Sequence, residues 1–153
     1  MMQQNIMNSN NTNLFFKETK DLDYDQLVEL FFAVHFLRFP EKRADYRTAI
    51  EKAFRNSQYV ISVYDKAKLV GVARLLTDEV LFATVWNMII KPEYQKHGIG
   101  KQILEKCLSK YPNLHFFLIA DDDVVGFYEK TGFKLHKYGM YLEKGRKVCI
   151  VYN

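Results

Sequence analysis

The feature that narrows the fold most is a change of hydrophobic period on the two sides of Pro92. Leu81 to Ile90 reads as one long strand, rich in Val, Met, Ile and an aromatic residue, and Pro92 ends it because proline cannot go on donating into a sheet. From Ile99 to about Lys110 the apolar residues Ile99, Ile103, Leu104, Cys107 and Leu108 recur at helical spacing. Gly98 and Gly100 stand at the junction. A strand that turns through glycine into a helix N-terminus aims free backbone N–H groups and the positive end of the helix dipole at one spot, where a pyrophosphate can sit. A Cβ at either glycine is expected to keep phosphates from the backbone. Lys96, His97 and Lys101 add positive charge there. The stretch lacks the third glycine of a dinucleotide fingerprint and the Gly-Lys-Ser/Thr of a P-loop.

Around this junction the pattern predicts an α+β fold, a mixed and largely antiparallel central sheet flanked by helices. Leu14 to Glu18 reads as a short strand. Asp23 is a natural N-cap for a helix running to about Leu37, and Pro40 begins a second helix from about Glu41 to Arg55. Gln58 to Tyr64 and Lys68 to Thr77 form a hairpin around Asp65, Lys66 and Ala67. Asn113 to Ala120 is a further strand, giving a βαβ unit with the strand that ends at Ile90. Asp122 to Lys130 is a helix capped by Asp122 or Asp123, and Phe133 to Leu142 with Lys147 to Val151 close the sheet as a strand pair.

The chain has 153 residues, 48% of them hydrophobic, enough for one core, so residues 14–153 are expected to form a single domain. Residues 1–13, rich in Asn, Gln and Ser, are expected to be a disordered tail. No apolar stretch approaches the roughly 20 residues of a membrane span. Cys107 and Cys149 fall in helix and strand patterns and read as buried small hydrophobes of a cytoplasmic protein, not as nucleophiles. The net charge of +4 suits an anionic ligand, but the lysines and arginines are scattered and form no nucleic-acid-binding block. Asp121, Asp122 and Asp123 have no His or Cys near them, so no metal site is expected.

Two segments carry a resemblance. Gln95, Lys96, His97, Gly98, Ile99, Gly100 resembles the Gln/Arg-x-x-Gly-x-Gly/Ala element by which GNAT acetyltransferases hold the pyrophosphate of acetyl-CoA. About thirty residues on, Phe127, Tyr128, Glu129, Lys130, Thr131, Gly132, Phe133 resembles their Phe-Tyr-x-x-x-Gly-Phe segment. Arg38 through Ser57, Leu69 through Asp78, and Gly139, Met140, Tyr141 are similar to a subgroup that includes bacterial enzymes and the plastid serotonin N-acetyltransferases. That subgroup usually has Trp-Asp-Val where this chain has Trp86, Asn87, Met88.

The resemblance implies an enzyme that moves the acetyl group of acetyl-CoA to a primary amine, an arylalkylamine or polyamine-like small molecule, without a metal. Protein acetylation and a non-catalytic acetyl-CoA-binding module are the alternatives, and a homodimer is left open. It further implies that backbone groups of Met88, Ile89 and Ile90 meet pantetheine and the acetyl carbonyl. Tyr128 would donate to the coenzyme sulfur, Phe127 would wall the pantetheine or fill the core, and Asp121 would touch the coenzyme. The acceptor side would draw on Phe32, His35, Asp78 and Asn87, with Glu79 a further candidate base.

Overall fold

Period-two segments pair into one sheet in the order they occur in the chain. The computed structural model describes residues 5–7 and 13–142. Its strands are β1 (Asn5–Met7), β2 (Asn13–Glu18), β3 (Tyr59–Asp65), β4 (Lys68–Thr77), β5 (Phe82–Ile90) and β6 (His115–Phe117). The order is β1-β2-β3-β4-β5-β6, antiparallel through β5, with β6 parallel to β5. A parallel neighbour needs a crossover, supplied by helix α3 (Ile99–Lys110).

Because strand side chains alternate, the sheet buries both faces. Helices α1 (Tyr24–Ala33) and α2 (Arg43–Arg55) cover one, where Leu27, Phe31 and Phe54 meet Val60, Val72 and Ile89. Helix α3 covers the other, where Ile99, Ile103 and Leu104 meet Ile61, Val63, Val70 and Leu75. Each such side chain stabilises the fold by roughly 1.5–3 kcal/mol when fully buried. A short helix, α4 (Val125–Lys130), follows on the α3 side, its Phe127 and Tyr128 packed against that core.

The ends of α1 follow from its sequence. Asp23 Oδ1 accepts from the N–H groups of Asp25 and Gln26, both at 3.0 Å, which holds its carboxyl below the usual range. At the other end the N–H of Phe36 donates to Phe31 O and that of His35 to Phe32 O, both at 3.0 Å. This is the Schellman pattern, completed by the edge-on contact of Phe31 and Phe36, whose ring centroids are 6.0 Å apart. His35 occupies the left-handed position, φ 61°, where glycine is usual, and α1 therefore stops at Ala33 instead of reaching Leu37.

Other expectations are corrected. Asn5–Met7, inside the expected tail, pairs with the backbone of β2, which an open sheet edge permits whatever the composition. Pro40–Lys42 is a 3-10 turn, so α2 starts at Arg43. β6 keeps only His115–Phe117 of the expected Asn113–Ala120, because β5 and the following chain diverge. Helix α4 is capped by Val124 without a side-chain bond, not by Asp122 or Asp123. Phe133 to Leu142 is irregular, with Leu135, Tyr138 and Met140 exposed and no ladder partner among the described residues. Lys147 to Val151 and Cys149 lie outside them.

Replacing His35 by glycine is expected to raise stability by about 1 kcal/mol, since a side chain in the left-handed region is strained. Equilibrium denaturation measures it, and a loss of stability would mean that the imidazole makes compensating contacts.

Candidate active site

Two irregularities in β5 open a cleft. Pairing with β6 runs from Phe82↔His115 to Thr84↔Phe117 and stops, so from Val85 onward that edge of β5 has no strand beside it among the described residues. On the other edge the register passes from Arg74↔Trp86 to Val72↔Ile89, so Asn87 and Met88 together face Ala73. That is a β-bulge, which bends the strand and leaves backbone groups out of the ladder. Asn87 lies in the left-handed region at φ 49°, which asparagine tolerates better than most residues.

The cleft passes through the sheet. Val85–Met88 of β5 form one side and Leu118–Asp121, beyond β6, the other. Phe36, packed with the α1–α2 core, stands at one mouth; Val124 and Tyr128, on the α3 side, stand at the opposite one.

Tyr128 is wedged edge-on between Phe127 and Phe133, with centroids at 5.0 and 5.9 Å. Burial, with a contribution from the Asp121 carboxylate, pushes its hydroxyl up to about 12, so it remains a proton donor across the neutral range. Cys107 lies fully buried on the inner face of α3, and burial drives its thiol up to about 12, which fits a packing role.

The anion end is braced from several directions. Gln95 Nε2 donates to Ile90 O at 2.9 Å, tying the turn to the end of β5. Tyr94 OH donates to Asp65 Oδ2 at 2.7 Å, and Glu93 bridges Lys91 at 3.0 Å and Lys68 at 3.3 Å. Lys96 (φ 63°) and Gly98 (φ 80°) turn the chain into α3, whose first intrahelical bond at this end runs from Gln102 N to Gly98 O. The N–H groups of Ile99, Gly100 and Lys101 therefore precede the first helical donor, have no acceptor within the helix and are available to an anion. The two glycines differ in role. A Cβ at Gly98 would meet nothing within 4 Å, so its backbone angle is the requirement. At Gly100 a Cβ would stand 3.6 Å from Phe127 and 3.9 Å from Ile90, so that position governs how closely α4 packs on α3.

The remaining expected residues divide. Asn87, Met88 and Asp121 line the cleft. Ile89 and Ile99 are buried in opposite cores, which leaves only their backbones for a ligand, and Ile90 packs on the α3 side. Lys96, His97 and Lys101 are exposed around the turn, Lys101 lying 3.7 Å from Glu105. Phe32 stacks edge-on against Tyr46 and is replaced on the cleft wall by Phe36, while His35 is exposed beside it. Asp78 clamps the β4–β5 turn. Its Oδ1 accepts from the N–H groups of Val80, Leu81 and Phe82 at 2.8–3.0 Å, which lowers its pKa, and it sits about 16 Å of strand away from Asn87. Glu79 accepts from Tyr111 OH at 2.9 Å at the same end. Sequence reasoning missed Arg74, whose Nε donates to Asn87 Oδ1 at 2.7 Å. Among the described residues no group of three or more His, Cys, Asp or Glu could hold a metal, and no helix is long and apolar enough to cross a membrane.

A family model described as an acetyltransferase (GNAT) domain matches residues 18–145. The chain is 30% identical over 127 residues to an uncharacterized N-acetyltransferase ycf52 of Pyropia yezoensis, a match covering 78% of this chain and 70% of that protein. Its fold is similar to that of a GNAT family acetyltransferase from Streptococcus pneumoniae TIGR4, with a TM-score of 0.73 at 22% identity over 87% of this chain and 99% of that one. It is also similar to a predicted acetyltransferase from Clostridium acetobutylicum solved with acetyl-CoA, with a TM-score of 0.66 at 14% identity over 85% and 96%.

Gly100→Leu should push Phe127 aside and weaken acetyl-CoA binding at least tenfold in a folded protein, whereas Gly100→Ala should bind almost normally. Calorimetric titration distinguishes the two, and unchanged affinity in a folded leucine variant would remove this turn from the coenzyme site.

Proposed function

Because the chain belongs to the GNAT acetyltransferase family, we propose that it transfers the acetyl group of acetyl-CoA directly to a primary amine carried on an apolar or aromatic body. One observation carries this function: a cleft lined from both faces of the sheet, with a protonated tyrosine on one side and Phe36 and Asn87 on the other. Acetyl-CoA supplies a thioester whose acetyl group is activated toward amines.

The residues present fit that co-substrate. The free N–H groups at the start of α3 suit the pyrophosphate, with Lys96, His97 and Lys101 around it and Gln95 bracing the turn. Between that turn and the bulge, β5 offers backbone groups that no strand among the described residues pairs on the cleft side, suited to the amides of pantetheine. Backbone N–H groups at the bulge can donate to the acetyl oxygen as charge develops there, an effect worth roughly 3 kcal/mol where a single such donor has been removed elsewhere.

Tyr128 faces the leaving sulfur in this scheme. With its pKa near 12 against about 8.5 for an ordinary thiol, complete proton transfer would be uphill by roughly 5 kcal/mol. The phenol therefore acts chiefly as a hydrogen-bond donor that stabilises the departing thiolate. An alkylammonium of pKa about 10 must also lose a proton, at a cost of roughly 4 kcal/mol at pH 7. Asp121, an exposed carboxylate on the cleft wall, is placed to pass that proton to solvent. The apolar lining from Phe36, Trp86, Met88 and Ile119 favours an acceptor with rings or methylenes next to its amine.

Tyr128→Phe is expected to lower kcat roughly 100-fold with acetyl-CoA affinity nearly unchanged. The donor is lost only as pH rises through about 12, so the wild-type rate should show no descending limb from this group below about pH 10. Stopped-flow measurement of thiol release tests both, and a phenylalanine variant with the wild-type chemical rate would exclude Tyr128 from the reaction.

A further inference from the structure

The Asn87 amide has only one orientation open to it. Arg74 donates from Nε to Asn87 Oδ1 at 2.7 Å and from Nη1 to Ser57 Oγ at 3.2 Å. A guanidinium carries donors and no acceptor, so the amide atom that faces it must be the oxygen. Arg74 is itself fixed. Ser57 is fully buried, its Oγ donates to Ala53 O at 2.8 Å, and the Phe54 ring centroid lies 5.6 Å from the guanidinium carbon. The Asn87 side chain reaches this arginine from the bulge at φ 49°, on the face that also carries Phe36 at the mouth of the cleft. Arg74 takes one lone pair of Oδ1 and holds the other beside a cationic guanidinium, so what Asn87 offers a bound molecule best is Nδ2 with its two N–H donors.

We propose that the Arg74–Asn87 pair determines which acceptor amines are used: it presents the N–H side of the amide, backed by the Arg74 charge, and so selects amines whose body carries a hydrogen-bond-accepting oxygen over amines that carry a second ammonium. A hydroxyl, ether or carbonyl oxygen pairs with Nδ2. A second ammonium is donor-only, so beside Asn87 it meets the amide N–H groups and the positive charge of Arg74. The pair thereby deepens the function proposed above, on which it rests. Within the class of primary amines with apolar or aromatic bodies, it favours oxygen-bearing arylalkylamines and disfavours polyamines. Asn87 is the specificity-determining group and Arg74 the positioning residue behind it.

Asn87→Asp separates these roles, because aspartate keeps the size and the Arg74 contact while exchanging donors for acceptors. Thiol release would be measured for wild type and variant with a methoxy-substituted phenethylamine and with spermidine, giving kcat/KM for each and KM for acetyl-CoA. The wild type should favour the methoxy amine at least tenfold, and Asn87→Asp should shift that ratio at least tenfold toward spermidine while KM for acetyl-CoA stays within twofold. Arg74→Lys, which keeps the charge but loses the fork that orients the amide, should shrink the preference several-fold without reversing it, and thermal melting would confirm that each variant is folded. A wild-type preference for spermidine, or a ratio unmoved in both variants, overturns the inference while leaving amine acetylation intact. Absence of thiol release with every amine in the wild type overturns the amine reading and this inference with it.

Discussion

Backbone hydrogen bonding on the two edges of β5 governs the rest of the molecule. A buried strand normally satisfies its N–H and C=O groups on both sides, yet β5 loses β6 after Thr84 and slips its ladder with β4 at Asn87 and Met88. A break of this kind is sustainable only if the strand is otherwise immobilised. Val85 and Ile89 provide that, since their side chains are buried in the cores on opposite faces. The opening is thus a rigid feature, and the groups that flank it arrive from independent elements: Phe36 from the end of α1, Tyr128 from α4, Asp121 from the chain beyond β6.

Where structure is local, the sequence was a good guide. Helix α3 spans Ile99–Lys110 as its apolar spacing and the glycine before it predict, and Asp23 caps α1 through the two N–H groups an N-cap residue serves. The β3–β4 hairpin falls within a residue of its period-two pattern. The α+β class and the mixed sheet followed from these elements together, as the family match bears out.

Features that depend on partners distant in sequence were not legible. Nothing in Asn113 to Ala120 says that pairing will stop at Phe117, because that is decided by how β5 bends. His35 does not advertise a helix end, since the pattern it completes is recognised by glycine in most chains. Phe32 and Phe36 are indistinguishable as letters, and only the Schellman turn between them sends one to Tyr46 and the other to the cleft. Asp78, expected on the acceptor side, is claimed by three backbone N–H groups for the β4–β5 turn. Arg74 carried no signal because its meaning lies in reaching Asn87 across the sheet from β4.

Past the bulge at Asn87 and Met88 the chain runs extended to Lys91, and both ends of this stretch are tied down, by the bulge at one and by the Gln95–Ile90 and Lys91–Val70 hydrogen bonds at the other. This stretch works as a gauge: at about 3.3 Å per residue it fixes roughly 10 Å between the bulge and the point where the chain leaves the sheet toward the α3 turn. An inserted or deleted residue there would change that spacing and also turn every following side chain to the opposite face of the sheet. Substitutions within the gauge can be absorbed by either core, whereas a change of its length cannot. Such length changes belong instead in the exposed turn between Asp65 and Lys68, where Lys66 already adopts a left-handed conformation and no cleft residue lies.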